Sequence, residues 1–404
     1  MGAASTPPRT WISPRKPHAR DTLQFHHGLL DTTGGSFMPA IQNHSPWIAG
    51  VLALTAILSV QGESRKYPDG LYAEVATQKG LIVLQLEFTK TPMTVANFVG
   101  LAEGTIHNAA LPDGTPYFDG TRFHRVVAGH VIQTGIPAEG IAQGPGYQFP
   151  NEIRLPELNH GRAGMLNMAN GGPHTNASQW CITLGDRSYL DGDYTVFGHV
   201  VQGMDVVYSI VQGDRIQSIR IARVGGEAEK FRPTTESFQK MVEAARERVR
   251  QDEEKRKIEE EDLIRSRWPQ AKVSQDGVRY VVTREGKGKM PVTGDRLKVA
   301  YAGRYLDGTV DFVSTADGGR PYFGTQPEPF EYEVGRAQVQ VCRGLDAALN
   351  GMTAGEKRVV IIPADTGYGR SGYYDKEKPG QKRFHISPNK TLVYEVEVLE
   401  VISR

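Results

Sequence analysis

Apolar positions follow three regimes along the chain. From Trp47 to Val60 they form one nearly unbroken run, WIAGVLALTAILSV. From Leu71 to Gly225, and again from Gly277 to Arg404, they come in short, near-alternating runs cut by Gly, Pro and Asn. That spacing predicts strands joined by turns. In the first block the strands fall at Leu81–Phe88, Thr121–Val127, Val131–Thr134, Gly164–Met168, Gln179–Leu184, Thr195–Val200 and Ile216–Val224. Thr91-Pro92 opens a helix, with Thr as N-cap and Pro at the first helical position. Val95, Phe98, Val99 and Ala102 give it one apolar face, and Gly104 ends it. A second helix lies near Gly203–Ile210. Many short strands with two helices point to a closed barrel with helical plugs.

Residues 226–272 differ sharply. Pro233-Thr234-Thr235-Glu236 is a helix start. Asp252/Arg256, Glu253/Lys257 and Glu261/Arg265 are i,i+4 pairs with the acid first, and Trp268-Pro269 ends the segment. Such a helix would span about 50 Å. Phe238, Met241, Val242, Ala245 and Val249 stripe only its first half, which predicts a solvated spacer docked at one end; a dimer seam would need the stripe to continue. In the second block Arg296–Leu306, Glu356–Ile362 and Thr391–Ile402 read as strands and Arg343–Leu349 as a short helix. This is an α+β pattern of an antiparallel sheet with one helix on its face. No repeat relates the two blocks. The fold class is a mainly β, α+β multidomain chain, divided as 1–62, 71–225, 226–272 and 277–404.

Composition narrows the function. Lys+Arg is 47 against Asp+Glu 46, so no global field favours nucleic acid. Cys181 and Cys342 are the only cysteines of the 404 residues, which excludes a disulfide scaffold or a Cys-rich metal site. His124, His130, His160, His174 and His199 lack close ligand spacing, so no metal and no cofactor is expected, and HExxH, GxSxG and P-loop patterns do not occur. The run Trp47–Val60 is short for a membrane span of ~20 residues but suits a signal-peptide core of ~7–15. Residues 1–62 are therefore expected to be a targeting segment, with translation from Met38 giving a conventional length. Export, periplasmic or otherwise extracytoplasmic, is the expectation; a signal anchor and a buried helix are the alternatives.

The ordered segments Phe123-His124-Arg125, Val131-Ile132-Gln133, Met165–Asn170, Thr175–Trp180, Leu190-Asp191-Gly192 and Thr195–Gly198 carry more. Through them residues 71–225 resemble a cyclophilin, the prolyl isomerase family built on an eight-stranded barrel. The resemblance implies that Arg125 acts on the amide nitrogen, Gln133 orients it, Asn170 holds the peptide backbone and Gln179 lines the site. Phe123, His130, Val131, Ala169, Cys181, Tyr189, Leu190 and Tyr194 would contact substrate. The family's proline pocket usually carries two phenylalanines, a methionine and a leucine. Here it reads His130, Val131, Cys181 and Leu190, so a smaller, more polar pocket, weaker or altered selectivity and reduced cyclosporin affinity are expected. Cys181 would pack there rather than act as a nucleophile.

Val299–Gly303, Leu306-Asp307-Gly308, Val341–Leu345, Gly367-Tyr368-Gly369 and Ile386–Tyr394 resemble an FKBP-type domain over about residues 277–402. That family turns the same bond in an aromatic pocket. The resemblance implies a lining of Tyr301, Asp311, Phe312, Phe330, Val341, Cys342, Leu345, Ile386 and Tyr394, with Tyr368 donating to a substrate carbonyl. The usual Phe-Asp order is reversed at Asp311-Phe312, and Leu345 stands where Trp is common. The loop Arg370–His385 is longer than usual and reads as a surface insertion. The implied partners are unfolded or proline-containing polypeptides, not nucleic acid, and not the membrane once a signal is cleaved. Two modules on one spacer would engage one chain at two points. A non-catalytic proline-binding chaperone or scaffold is the alternative.

Overall fold

The computed structural model describes residues 67–137, 144–274, 276–309, 324–325, 329–336, 342–374 and 384–403. The expected targeting segment, and with it the run Trp47–Val60, lies outside the described residues, as do Asp311, Phe312 and Val341.

Eight strands build the first sheet: β1 (Gly70–Thr77), β2 (Gly80–Leu86), β3 (Arg125–Val127), β4 (Val131–Thr134), β5 (Met165–Met168), β6 (Trp180–Thr183), β7 (Val196–Gln202) and β8 (Ile216–Val224). Their order is β3-β4-β6-β5-β7-β2-β1-β8. The approaches to the two outermost strands are themselves bonded. Phe123 N–H donates to the Asp214 carbonyl and Ile216 N–H to the Thr121 carbonyl, both at 2.9 Å. The sheet therefore curls on itself. Leu84, Ile132, Leu166 and Ile182 are wholly buried inside it. Trp180 sits among Phe98, Phe118 and Phe123, with ring centroids 5.7, 6.2 and 6.4 Å away.

Three local readings are corrected. β1 was not expected, because Gly70, Ala73, Glu74 and Ala76 dilute its β signal; it lies between β2 and β8 all the same. Helix α1 (Pro92–Glu103) is buried all round from Met93 to Ala102, not on one face, because it plugs the curled sheet. Thr91 does not cap it by side chain; its hydroxyl donates to the Glu87 carbonyl. The Glu152 carboxylate accepts from the amides of Met93 at 3.3 Å and Thr94 at 2.6 Å instead. A negative group is favoured at this end of a helix. Gly104 ends α1 in the left-handed region, at φ 71°.

Short helices α2 (Met204–Ser209) and α3 (Gly226–Lys230) lead to α4 (Thr235–Arg267). Thr234 and Ser237 form a capping box at its start. Phe238 and Val242 enter the first core, and the Phe238 ring lies 5.4 Å from Tyr147 and 5.8 Å from Phe149. The far end docks as well, where the sequence suggested one end only. Ile264 packs with Leu306, Ile361 and Val393 of the second block, and Glu261 holds Arg279 through two bonds of 2.8 and 3.1 Å. Leu263, Ile264 and Trp268, clustered at the end of the helix and flanked by polar contacts, leave no readable stripe. Of the expected i,i+4 pairs Glu261–Arg265 forms, at 3.4 Å; Arg256 donates to the Asn389 carbonyl.

The second block contains β9 (Lys272–Val273), β10 (Arg279–Arg284), β11 (Arg296–Tyr305), β12 (Gly324–Thr325), β13 (Phe330–Glu333), α5 (Arg343–Leu349), β14 (Lys357–Ile362), β15 (Tyr373–Tyr374), β16 (Phe384–Ile386) and β17 (Leu392–Ile402). Antiparallel pairing gives the order β12-β11-β17-β14-β10-β9, with β13 also on β11; β15 and β16 form a separate pair. Leu345 and Leu349 of α5 join Val299, Val360 and Val396 of the sheet in one core.

Candidate active site

Register places the polar groups of the first domain. Arg125 on β3 faces Gln133 on β4, which faces Cys181 on β6. Side chains opposite each other share a face. Ile132 and Ile182 point into the core from these strands, so Arg125, Gln133 and Cys181 belong to the outer row. Arg125 Nη1 donates to Gln133 Oε1 at 3.2 Å, and Gln133 Nε2 donates to Gln179 Oε1 at 2.8 Å. The guanidinium is thus held by an oriented amide chain while the residue remains half-buried rather than enclosed. Gln133, Ala169, Asn170 and Gln179 line one cavity of about 480 Å³. Asn170 is fixed by its side chain, which donates to the Asp193 carbonyl at 3.0 Å and accepts from the Gly172 amide at 3.3 Å.

The apolar part of the site is not vacant surface. His130 is 5% exposed and its ring stacks on Tyr189, with Nδ1 3.0 Å from the Tyr189 hydroxyl. Val131, Cys181, Leu190 and Tyr194 are buried too. Phe123 is a correction: it is wholly buried against Trp180 in the core and offers substrate no surface. The irregular backbone before β3 breaks the alternation that would have placed it with Arg125. His124 was named above only within a motif and among the scattered histidines. Its imidazole is held below its ordinary value by burial, partly offset by Gln179, and its Nδ1 is buried without a partner. Nothing in the sequence distinguished it from a surface histidine.

In the second domain the Tyr301 ring meets Phe330 at 5.5 Å and Tyr394 at 5.3 Å, both edge to face. Cys342, Leu345 and Ile386 lie in the same cluster. Gly303 makes room for this bowl, because a Cβ there would collide with the Tyr394 ring. Tyr368 Oη is buried without a hydrogen bond of good geometry, although the Tyr394 hydroxyl is near enough to act on it. Burial pushes the Cys342 thiol up to about 11, so it stays protonated. The reading of the sequence missed Tyr305, whose hydroxyl accepts from the Ser387 amide at 2.8 Å. The Tyr301, Gly303, Tyr305 spacing on β11 was the available signal.

Residues 72–226 match the family model of cyclophilin type peptidyl-prolyl cis-trans isomerases, and residues 287–399 that of FKBP-type peptidyl-prolyl cis-trans isomerases. The chain is 44% identical over 133 residues to peptidyl-prolyl cis-trans isomerase A of Mycobacterium tuberculosis, covering 32% of this chain and 72% of that protein. It is 40% identical over 143 residues to human peptidyl-prolyl cis-trans isomerase-like 1, covering 35% and 78%. A crystal structure of a Cryptosporidium parvum cyclophilin type isomerase aligns with 27% identity and a TM-score of 0.33, over 38% of this chain and 98% of that one.

Proposed function

The chain belongs to the cyclophilin-type peptidyl-prolyl cis-trans isomerases and carries an FKBP-type isomerase domain in the same polypeptide, and on that premise we propose that it is a two-site foldase turning Xaa-Pro bonds in exported, unfolded proteins. The bond resists rotation with a barrier of about 18–20 kcal/mol. Left alone it takes tens of seconds or longer, slow enough to limit folding. No bond is made or cut, so the enzyme need only favour the twisted amide over the planar one. Twisting returns a lone pair to the nitrogen. In the first domain Arg125 supplies a fixed cation and N–H donors for it, with Gln133 orienting the guanidinium. In the second, the Tyr301, Phe330 and Tyr394 bowl strips water from the amide and Tyr368 donates to its carbonyl.

The observation that carries this reading is the bonded chain Arg125–Gln133–Gln179 beside a cavity. The exported clients rest on the apolar run 47–60 alone. One feature favours a second reading for the first domain, holding proline segments without turning them: the His130–Tyr189 pair occupies the place where the family keeps apolar rings. Isomerisation of short Xaa-Pro peptides by the full chain separates the two. Arg125→Ala and Tyr368→Phe should each lower the rate, and the double variant more than either. A rate indifferent to both changes would show that the sites are misassigned.

A further inference from the structure

The loop after Asn170 and the turn after Tyr368 open on one space. A cavity of about 520 Å³ is walled by Gln148, Gly171 and Thr175 of the first domain, Arg246 of α4, and Arg370 and Asn389 of the second domain. Gln148, Gly171 and Thr175 also wall the 480 Å³ cavity that holds Gln133, Asn170 and Gln179. The two cavities therefore adjoin. On the other side, Arg370 belongs to the 3-10 turn Gly369–Ser371 immediately after Tyr368, and the Gly369 carbonyl accepts from the Asn389 amide at 2.8 Å. Helix α4 is the floor. Arg246 ties it to the Gln148 carbonyl at 2.8 Å, and Arg256 ties it to the Asn389 carbonyl.

The charge of this passage is one-sided. Among the described residues neither Arg246 nor Arg370 has a carboxylate within ion-pair distance. Arg246 donates to an uncharged carbonyl, and Arg370 is exposed. Arg250 on the same wall is matched by Glu247 at 2.6 Å. Glu253 is the one acid lining the cavity. We propose that this junction is a third substrate subsite, in which an extended unfolded polypeptide held in the first site crosses α4 toward the second, its acidic side chains paired with Arg246 and Arg370. The assignment rests on the isomerase reading and adds a substrate class to it: clients with acidic residues flanking the proline. Guanidinium–carboxylate bonds are the strong, directional kind. Occupying a second subsite on the same chain also raises the local concentration of the next proline.

The test uses the full chain and two labelled peptides. Each carries one Xaa-Pro and a tail of about ten residues, enough to reach beyond one site at ~3.3–3.6 Å per residue. One tail alternates Gly and Glu, the other Gly and Lys; binding is read by fluorescence anisotropy and turnover on tail-free peptides in parallel. The Glu tail should bind about tenfold more tightly at low salt, a difference of about 1.4 kcal/mol. Arg370→Glu should bring the ratio to about one, and Arg370→Lys should keep most of it. A ratio near one in the native chain, or one that survives Arg370→Glu, overturns the subsite while tail-free turnover persists. Loss of tail-free turnover in the native chain overturns the isomerase reading, and the subsite with it.

Discussion

In the first domain the groups proposed to face a peptide stand outside the core; in the second the proposed groups are the core. Arg125, Gln133 and Gln179 are half-buried, on the far side of the strands from Ile132 and Ile182. Tyr301, Cys342, Leu345, Ile386 and Tyr394 are members of the cluster that holds the second sheet to α5. The chemistry explains the difference. Stabilising a developing lone pair needs a charged group, and a charged group is too costly to leave dry without compensation. Stripping water from an amide needs apolar rings, which a core already supplies. On the proposed assignment, activity and stability are separable in one domain and shared in the other.

The sharpest break in that contrast is Tyr394→Ala. Removing a wholly buried ring should cost the second domain about 3–5 kcal/mol, measured by denaturant unfolding, and remove its activity together with its stability. Next comes Arg125→Ala, for which a fall of about 100-fold in kcat/KM at the first site is expected with little change in unfolding midpoint. A large stability loss there would erase the distinction. Restoring an apolar ring by His130→Phe should raise first-site activity and cyclosporin affinity by about tenfold; an unchanged affinity would mean the His130–Tyr189 pair is not what limits the pocket. Tyr368→Phe removes one neutral hydrogen bond and should lower second-site kcat/KM by about three- to tenfold.

The smallest effect is one of pH. Burial holds the His160 imidazole below its ordinary value, against the upward pull of Asp191 2.7 Å away. The unfolded chain thus takes up this proton first. Stability present above about pH 6.5 is lost as pH falls through the folded value. His160→Gln should make the acid slope of first-domain stability shallower. The effect is partial, because His124, His174 and His199 are also held low by burial.

Legibility in the sequence followed the strength of local signals. β4 and β8 were placed to the residue, because β-branched runs bounded by turns leave few alternatives. β1 escaped because pairing on both sides supplies what its alanines and glycine lack. The true cap of α1 escaped because Glu152 lies 58 residues from Thr94. Order of motif carried Arg125, Gln133, Asn170 and Gln179 to one place, whereas Phe123 came along only by adjacency. The docking of the second half of α4 rests on Glu261, Arg256 and Ile264, residues that look like any solvated face until their partners are known.

Placing β1 between β2 and β8, with Gly70 opposite Val224, sets a schedule on the ribosome. The nascent chain cannot zip its first strand into the finished wall until Val224 has emerged. At about 5–20 residues per second that interval is on the order of ten seconds. Until then one edge of β1 and the N-terminal amides of α1 wait for partners still being translated, and a chaperone bound to that edge would set the pace at which this foldase itself matures.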